Sequence, residues 1–143
     1  VRANPNSAAV WHYRGTDANR DGKLDFKETM HRSLGMVAIR DDLLVIGDFA
    51  GLVHCLDAKS GKLFWTYDTL SAVWGTPLIA DGKIYLGNQD GDVIVFEFSK
   101  KLKVLAKNGM GGAIYSSPIV AGGVFYLSTN THLFAIGPEP RAK

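Results

Sequence analysis

The sequence predicts an all-β chain built from repeated four-stranded antiparallel sheets. The first observation is that short runs rich in Val, Ile, Leu, Phe and Tyr are separated by turns. These turns use much of the glycine, which makes up 16 of 143 residues, about 11% against an average near 7%. The second observation is a repeat of 40 to 41 residues along the chain.

The repeat keeps its register over three copies. At an offset of 40, LGMVAIRD at residues 34–41 aligns with WGTPLIAD at residues 74–81. At an offset of 41, the third copy aligns with the second as YSSPIV at residues 115–120 and GVFYL at residues 123–127. Four-stranded units of this length are typical of the blades of a β-propeller. A β-sandwich with evenly spaced strands is the alternative, but a sandwich does not require these matches.

Each copy is interpreted as four strands, which the middle copy places at residues 77–80, 83–87, 92–96 and 103–106. Asp81-Gly82 and Asp90-Gly91 supply the positive φ values that tight hairpins need.

The segment VWHY at residues 10–13 matches FWTY at residues 64–67, but at an offset of 54. We therefore expect residues 1–14 to hold the last strand of a preceding blade and residues 15–34 to be an insertion. Residues 35–143 are expected to form two complete blades and a partial one.

Charge and apolar patterning exclude several classes of partner. The net charge is +2 with scattered basic residues, so no nucleic-acid partner is expected. The apolar runs are too short for a transmembrane segment. Cys55 is the single cysteine, so no disulfide can form within the chain.

Because a propeller takes roughly four to eight blades, ring closure would need missing blades or self-assembly.

Two stretches carry a resemblance to a known family. They are GLVHCLDAKSGKLFW at residues 51–65 and ADGKIYLG at residues 80–87, followed by DGDV at residues 90–93. Both resemble the repeat of the pyrroloquinoline-quinone-like (quinoprotein-type) β-propellers, and the resemblance covers approximately residues 34–136. In this repeat Asp57 and Ser60 suit a turn between the third and fourth strands, and Gly61 suits its left-handed corner. Trp65 suits a flat contact between neighbouring blades.

The resemblance implies a fold but leaves two functions open. The family includes quinone-dependent dehydrogenases and members that bind no cofactor. Its alcohol-oxidising members resemble one another in a disulfide between adjacent cysteines over the quinone, which Cys55 alone cannot supply. We therefore favour a non-catalytic binding or scaffolding module, periplasmic or extracellular, with a protein or polysaccharide partner. No catalytic or cofactor-binding residue is predicted, pyrroloquinoline quinone is not expected, and Trp74 is expected to pack between blades rather than stack on a ligand. The alternative is the C-terminal part of a quinone-dependent dehydrogenase that oxidises alcohols or sugars.

The insertion contains a motif with its own chemistry. DANRDGKLDFKE at residues 17–28 satisfies the twelve-residue calcium-loop pattern of EF-hands, whose alternate oxygen ligands suit a hard cation. Gly22 would make the sharp turn, and a helix over residues 26–34 is predicted to follow. The alternative is a surface turn whose polar side chains satisfy its own backbone. The predicted calcium ligands are Asp17, Asn19, Asp21, Lys23 through its carbonyl, Asp25 and Glu28.

The calcium loop lacks an entering helix, so it resembles half of an EF-hand. An unpaired site of this kind is expected to bind calcium weakly, with a dissociation constant of roughly 10⁻⁴–10⁻³ M. Such an affinity suits a structural role outside the cytoplasm. The prediction is that the ion pins the insertion to the rim of the propeller.

Overall fold

The computed structural model describes residues 8–138, which form three antiparallel sheets and one turn of 3₁₀ helix, Phe26–Glu28. Blade 1 contains four strands in the order β1-β2-β3-β4, and blade 2 contains four in the order β5-β6-β7-β8. Blade 3 contains three strands in the order β9-β10-β11. The strands are β1 Ala38–Arg40, β2 Leu43–Gly47, β3 Leu52–Asp57, β4 Leu63–Asp68, β5 Leu78–Ala80, β6 Lys83–Gly87, β7 Asp92–Glu97, β8 Val104–Gly109, β9 Ile119–Ala121, β10 Val124–Ser128 and β11 Leu133–Ile136.

The predicted partial propeller of four-stranded blades is confirmed. In the middle copy the second strand has the predicted bounds, and the other three differ by one to three residues at an end. The largest difference is in β8, which starts at Val104 and continues to Gly109 because Lys107 and Asn108 still pair with β7. Among residues 8–138, no helix is long and apolar enough to span a membrane.

The first hairpin of each blade turns at equivalent corners. Asp41, Asp81 and Gly122 have φ values of 46°, 48° and 57°, and the residue after each also has a positive φ. Two successive residues with positive φ are typical of a type I′ turn, whose backbone twist matches the twist of the two strands that it joins. Asp41, Asp81 and Gly122 therefore occupy equivalent corners of the three blades, in agreement with the register of the sequence repeat.

The turn between the third and fourth strands of blade 1 has the predicted chemistry. The Asp57 carboxylate accepts hydrogen bonds from the amide and the hydroxyl of Ser60, at 2.8 and 2.9 Å. Gly61 has a φ of 71°, and a Cβ added there would lie 2.6 Å from the Cε3 atom of Trp11. Gly61 is thus required by backbone conformation and by the ring packed on it.

The apolar core lies between the blades. Its larger part joins blades 1 and 2 and includes Val53, Cys55, Trp65, Ile94 and Phe96. A smaller part joins blades 2 and 3 around Ile114 and Leu127. Because both faces of blade 2 contribute to these clusters, the blades depend on one another for burial.

Tight backbone packing holds the inner ends of the blades together. A Cβ on Gly35 would lie 2.5 Å from the carbonyl oxygen of Gly75, and a Cβ on Gly75 would lie 2.4 Å from that of Ser116. The amide of Met36 donates to the Thr76 hydroxyl at 2.9 Å, and the amide of Thr76 donates to the Ser117 hydroxyl at 2.8 Å. The repeated glycine therefore marks a position where neighbouring blades touch through their backbones.

Residues 8–14 contain no strand in this structure, and their membership of a preceding blade stays a prediction. A side-chain contact supports it. The indole nitrogen of Trp11 donates to the Ala58 carbonyl at 3.1 Å, just as that of Trp65 donates to the Ser99 carbonyl at 3.0 Å. Ala58 and Ser99 both lie in the turn between the third and fourth strands of their blades, so Trp11 has the contact of an outer-strand tryptophan.

We expect Trp65→Ala to lower the free energy of unfolding by about 3–5 kcal/mol, because it leaves a cavity between blades 1 and 2. Urea unfolding followed by circular dichroism measures the change. The control is Tyr115→Ala, because the Tyr115 side chain is 48% exposed and should cost much less. Equal losses for the two variants would contradict the role assigned to Trp65.

Candidate functional site

The inserted loop is closed by backbone contacts at its two ends. Gly15 and Thr29 form an antiparallel bridge. The amide of Thr16 donates to the Glu28 carbonyl at 2.9 Å, and the amide of Met30 donates to the Arg14 carbonyl at 2.7 Å. Residues 16–28 therefore form one closed loop that contains every predicted calcium ligand.

The acidic side chains of the loop accept hydrogen bonds from the loop's own backbone amides. The Asp17 carboxylate accepts from the amides of Asp21 and Gly22, at 3.2 and 2.9 Å. The Glu28 carboxylate reaches back and accepts from the amides of Ala18 and Asn19, at 2.9 and 3.1 Å. The motif thus brings its first and last acidic residues to the same stretch of backbone.

The other predicted ligands that would bind through side-chain oxygens also accept hydrogen bonds from loop amides. Asn19 accepts from the amide of Asp21 at 2.9 Å, and Asp21 accepts from the amide of Lys23 at 2.9 Å. Asp25 accepts from the amide of Lys27 at 2.9 Å. Oxygen donors of this kind fit calcium chemically. However, residues 8–138 contain no group of three or more His, Cys, Asp or Glu side chains placed to hold a metal ion.

The helix predicted over residues 26–34 is wrong. Only Phe26–Glu28 forms a turn of 3₁₀ helix, which Asp25 caps through the amides of Lys27 and Glu28. Thr29 is already extended, with φ −101° and ψ 139°, because its backbone pairs with Gly15. The chain then runs along blade 1 instead of completing a helix.

Blade 1 holds the segment after the loop through Asp48 and Phe49. The amide of His31 donates to Asp48 Oδ2 at 3.0 Å, and the amide of Phe49 donates to the Arg32 carbonyl at 2.8 Å. The Arg32 guanidinium lies 4.7 Å from the centre of the Phe49 ring, at the distance of a cation–π contact. These contacts hold the segment after the loop to blade 1, and an ion pair between Lys27 and Asp68 at 3.1 Å joins the loop itself to the same blade.

Asp48 and His54 form a fully buried pair. Asp48 Oδ2 lies 3.2 Å from His54 Nε2, and both side chains have 0% exposure. The Thr66 hydroxyl lies 3.4 Å from His54 Nδ1, and Tyr13 packs edge-on against the His54 ring at 5.6 Å. A polar network thus runs from the anchored insertion into the sheet of blade 1.

The charge of Asp48 is stabilised within this network. Burial acts to raise the pKa of Asp48. The hydrogen bond from His54 and those from the amides of His31 and Leu52 outweigh burial and hold that pKa below its usual range. In contrast, burial raises the pKa of Tyr13 above its usual value, despite hydrogen bonds with Thr16 and Thr66.

The buried pair was not predicted, although the repeat carries a signal for it. Asp48 accepts from the amide of Leu52 at 2.9 Å, and Asn88 accepts from the amide of Asp92 at 2.9 Å. These two side chains close equivalent turns after the second strand of blades 1 and 2. Blade 1 thus has a carboxylate, Asp48, where blade 2 has a side-chain amide, Asn88. This difference is the signal in the sequence for a further partner of Asp48, which is His54.

Cys55 and Trp74 both contribute to packing in the structure. Cys55 is fully buried, and burial raises the pKa of its thiol to about 12, so it is not a ready nucleophile. Trp74 lies edge-on to Phe49 at 4.7 Å and to Tyr115 at 5.3 Å. Its indole nitrogen donates to Gln89 at 2.9 Å. The expected packing of Trp74 between blades is confirmed.

Comparison with known proteins identifies the family. The family model described as outer membrane protein assembly factor BamB matches residues 3–105. The chain belongs to this family. A BamB protein from Xanthomonas campestris pv. campestris is 33% identical over 100 residues, which are 66% of this chain and 23% of that protein. This BamB-family chain thus spans about a quarter of that relative's length.

Solved structures share the fold. BamB from Moraxella catarrhalis superposes with a TM-score of 0.61 and 19% identity, covering 73% of this chain and 33% of that one. The quinohemoprotein alcohol dehydrogenase ADHIIG from Pseudomonas putida HK5 superposes with a TM-score of 0.64 and 22% identity, covering 76% and 18%. An assembly factor and a dehydrogenase share this architecture, so the fold by itself does not choose between the two functions.

We expect Asp48→Asn to lower the free energy of unfolding at pH 7 by about 1–3 kcal/mol, because the turn keeps its acceptor and His54 loses a charged partner. The folded pKa of Asp48 is depressed, so its stabilisation is present above the unfolded pKa of about 3.9 and is lost as pH falls through the folded value. The difference between wild type and variant should therefore shrink at acid pH in urea unfolding.

The matched control for this prediction is Asn88→Asp at the equivalent position of blade 2. That variant buries a carboxylate beside the Thr69 carbonyl, to which Asn88 donates at 3.5 Å. It should be least stable at high pH, where the carboxylate is ionised. A difference between wild type and Asp48→Asn that stays constant from pH 7 to the acid range would contradict the prediction for Asp48.

Proposed function

We propose that this chain is part of a non-catalytic propeller module that binds other proteins outside the cytoplasm. The observation that carries the proposal is the BamB family match over residues 3–105. The Xanthomonas relative is described as an outer membrane protein assembly factor. We extend that description to this chain as a periplasmic location and a protein partner rather than a polysaccharide.

The alternative function is quinone-dependent oxidation of alcohols or sugars. The likeness to a quinohemoprotein alcohol dehydrogenase favours it. Two features of this chain oppose it. The single Cys55 is buried between blades 1 and 2, where it cannot form a disulfide with an adjacent cysteine. Trp74 packs edge-on to two aromatic rings, Phe49 and Tyr115.

A chimera tests the protein-binding function. The matched segment of 100 residues replaces its counterpart in the Xanthomonas BamB protein, expressed in a strain that lacks that protein. We expect the chimera to restore outer membrane protein levels, measured by quantitative blotting of membrane fractions. The control is the same chimera carrying Trp65→Ala, which removes the contact between blades. Failure of an abundant, folded chimera to restore these levels would overturn the proposal.

The same chimera separates the two functions when it is incubated with pyrroloquinoline quinone and calcium. The proposal expects no bound quinone absorbance and no dye reduction with alcohols or sugars. Appearance of both signals would favour the dehydrogenase.

We also propose that the inserted loop binds calcium with a structural role. The proposal is supported by the complete twelve-residue motif, by closure of the loop at Gly15 and Thr29, and by the return of Glu28 to the start of the loop. When bound, calcium would take the carboxylate oxygens that now accept from loop amides. This competition is a physical reason for weak affinity.

Calorimetric titration tests the calcium proposal. We expect a dissociation constant of roughly 10⁻⁴–10⁻³ M, and about 10 mM calcium should stabilise a site of about 1 mM affinity by about 1.4 kcal/mol. Glu28→Gln should weaken binding, because one charge and one strong ligand oxygen are lost. Asp42→Asn is the control, since Asp42 is an exposed acid that pairs with Lys59 outside the loop. Absence of calcium uptake by the wild type at millimolar concentration would overturn the proposal.

A further inference from the structure

An ion pair joins the inserted loop to the outer strand of blade 1. Lys27 Nζ lies 3.1 Å from Oδ2 of Asp68, which is the last residue of β4. The carboxylates of the loop accept hydrogen bonds from amides of the loop itself. Within residues 8–138, the ion pair is thus the polar contact that links the interior of the loop to a strand of a blade.

Lys27 lies in the part of the loop that carries the last two predicted calcium ligands. It is the middle residue of the 3₁₀ turn Phe26–Glu28, and the Asp25 carboxylate caps this turn by accepting from two of its amides. The Glu28 carboxylate extends from the turn back to the start of the loop. A tether at Lys27 therefore acts on the positions of Asp25 and Glu28 together.

Asp68 is itself held in a defined orientation. Its backbone pairs with Leu52 in the sheet of blade 1, and its Oδ1 accepts from the amide of Leu70 at 2.8 Å. The side chain is 26% exposed, so its charge is partly shielded from solvent ions. The carboxylate therefore presents its second oxygen, Oδ2, to Lys27 from a fixed position.

The repeat indicates that this carboxylate belongs to the blade that contacts the insertion. Asp68 pairs with Leu52 in blade 1, and Gly109 pairs with Asp92 in blade 2. Leu52 and Asp92 are the first residues of the third strands β3 and β7, so Gly109 is the counterpart of Asp68. Blade 2 thus has no side chain at the position where blade 1 has the partner of the loop.

We propose that Asp68 is a positioning residue for calcium binding by the inserted loop. It holds the Lys27 ammonium group, and it thereby keeps the turn with Asp25 and Glu28 in place against blade 1 before the ion binds. Groups that orient metal ligands from outside the ligand set raise affinity, because the site needs less ordering on binding. The inference rests on the proposed calcium function and adds to it a residue outside the twelve-residue motif.

Calcium titration of the full chain carrying Asp68→Asn tests the inference. The substitution keeps an oxygen for the Leu70 amide and removes the charge that holds Lys27. We expect a dissociation constant about two- to fivefold higher than in the wild type, as suits a partly exposed ion pair. Two-dimensional NMR measures this constant, since the amides of residues 17–28 report calcium uptake in the loop itself.

Variants of Lys27 separate positioning from a simple effect of charge. Lys27→Gln removes a cation beside the site, so charge alone would make calcium binding tighter. Because Asp68 acts through Lys27, we expect this variant to bind calcium about twofold more weakly instead. Lys27→Arg retains the ion pair and should bind as the wild type does. The double variant of Asp68→Asn and Lys27→Gln should bind no more weakly than Asp68→Asn alone.

The matched control is Asp92→Asn in blade 2. Asp92 pairs with Lys107 at 2.9 Å, and its side chain is 21% exposed, close to the exposure of Asp68. This variant removes the same charge from a lysine pair outside the loop, so it should bind calcium as the wild type does. Circular dichroism checks that each variant is folded. The Lys27 side chain is 72% exposed, so its variants carry the test if Asp68→Asn does not fold.

Weaker binding by Asp68→Asn and Lys27→Gln, with unchanged binding by Lys27→Arg and Asp92→Asn, supports the inference. If the wild type takes up calcium, three results contradict the inference alone. They are unchanged affinity of Asp68→Asn, tighter binding by Lys27→Gln, and equal weakening by Asp92→Asn. Absence of calcium uptake by the wild type would instead contradict the calcium function itself, and this inference with it.

Discussion

The contact on which the three sheets depend is an aromatic ring from one blade held against its neighbour. Trp65 is the clearest case, since it packs on Phe96 and hydrogen-bonds to Ser99 across the first interface. Both faces of blade 2 are buried only against other blades, so no blade has a core of its own. Stability is therefore a sum of interface terms along the chain, as in other repeat proteins.

Specialised features arise where one copy of the repeat differs chemically from the others. At the turn after the second strand, Asn88 closes the loop of blade 2, while Asp48 does so in blade 1 and also binds His54 and the insertion. At the outer strand, Trp65 packs on Phe96 across the first interface, and Ala106 stands at the corresponding position of blade 2. The regular positions maintain the fold, and the irregular position at Asp48 attaches the segment after the loop to blade 1.

Much of the architecture could be predicted because its signals are local. The corners at Asp41, Asp81 and Gly122 each need two adjacent residues with positive φ, and residue type encodes that directly. The turn from Asp57 to Gly61 was likewise predicted and found. A helix over residues 26–34 was predicted, but no local pattern in that segment could show that Thr29 pairs with Gly15.

The sequence by itself determined the strand repeat, the turn chemistry, the family resemblance and the calcium motif, because each is encoded within a few neighbouring residues or in their recurrence. Only the tertiary structure decided which side chains meet. The His31 amide reaches Asp48 across 17 residues, and Trp11 reaches Ala58 across 47. The polar network around Asp48 and His54 depends on such distant contacts, from His31 and from Thr66. The burial of a side chain and the identity of its contact partners are set by the packing of the sheets, and no local sequence pattern specifies them.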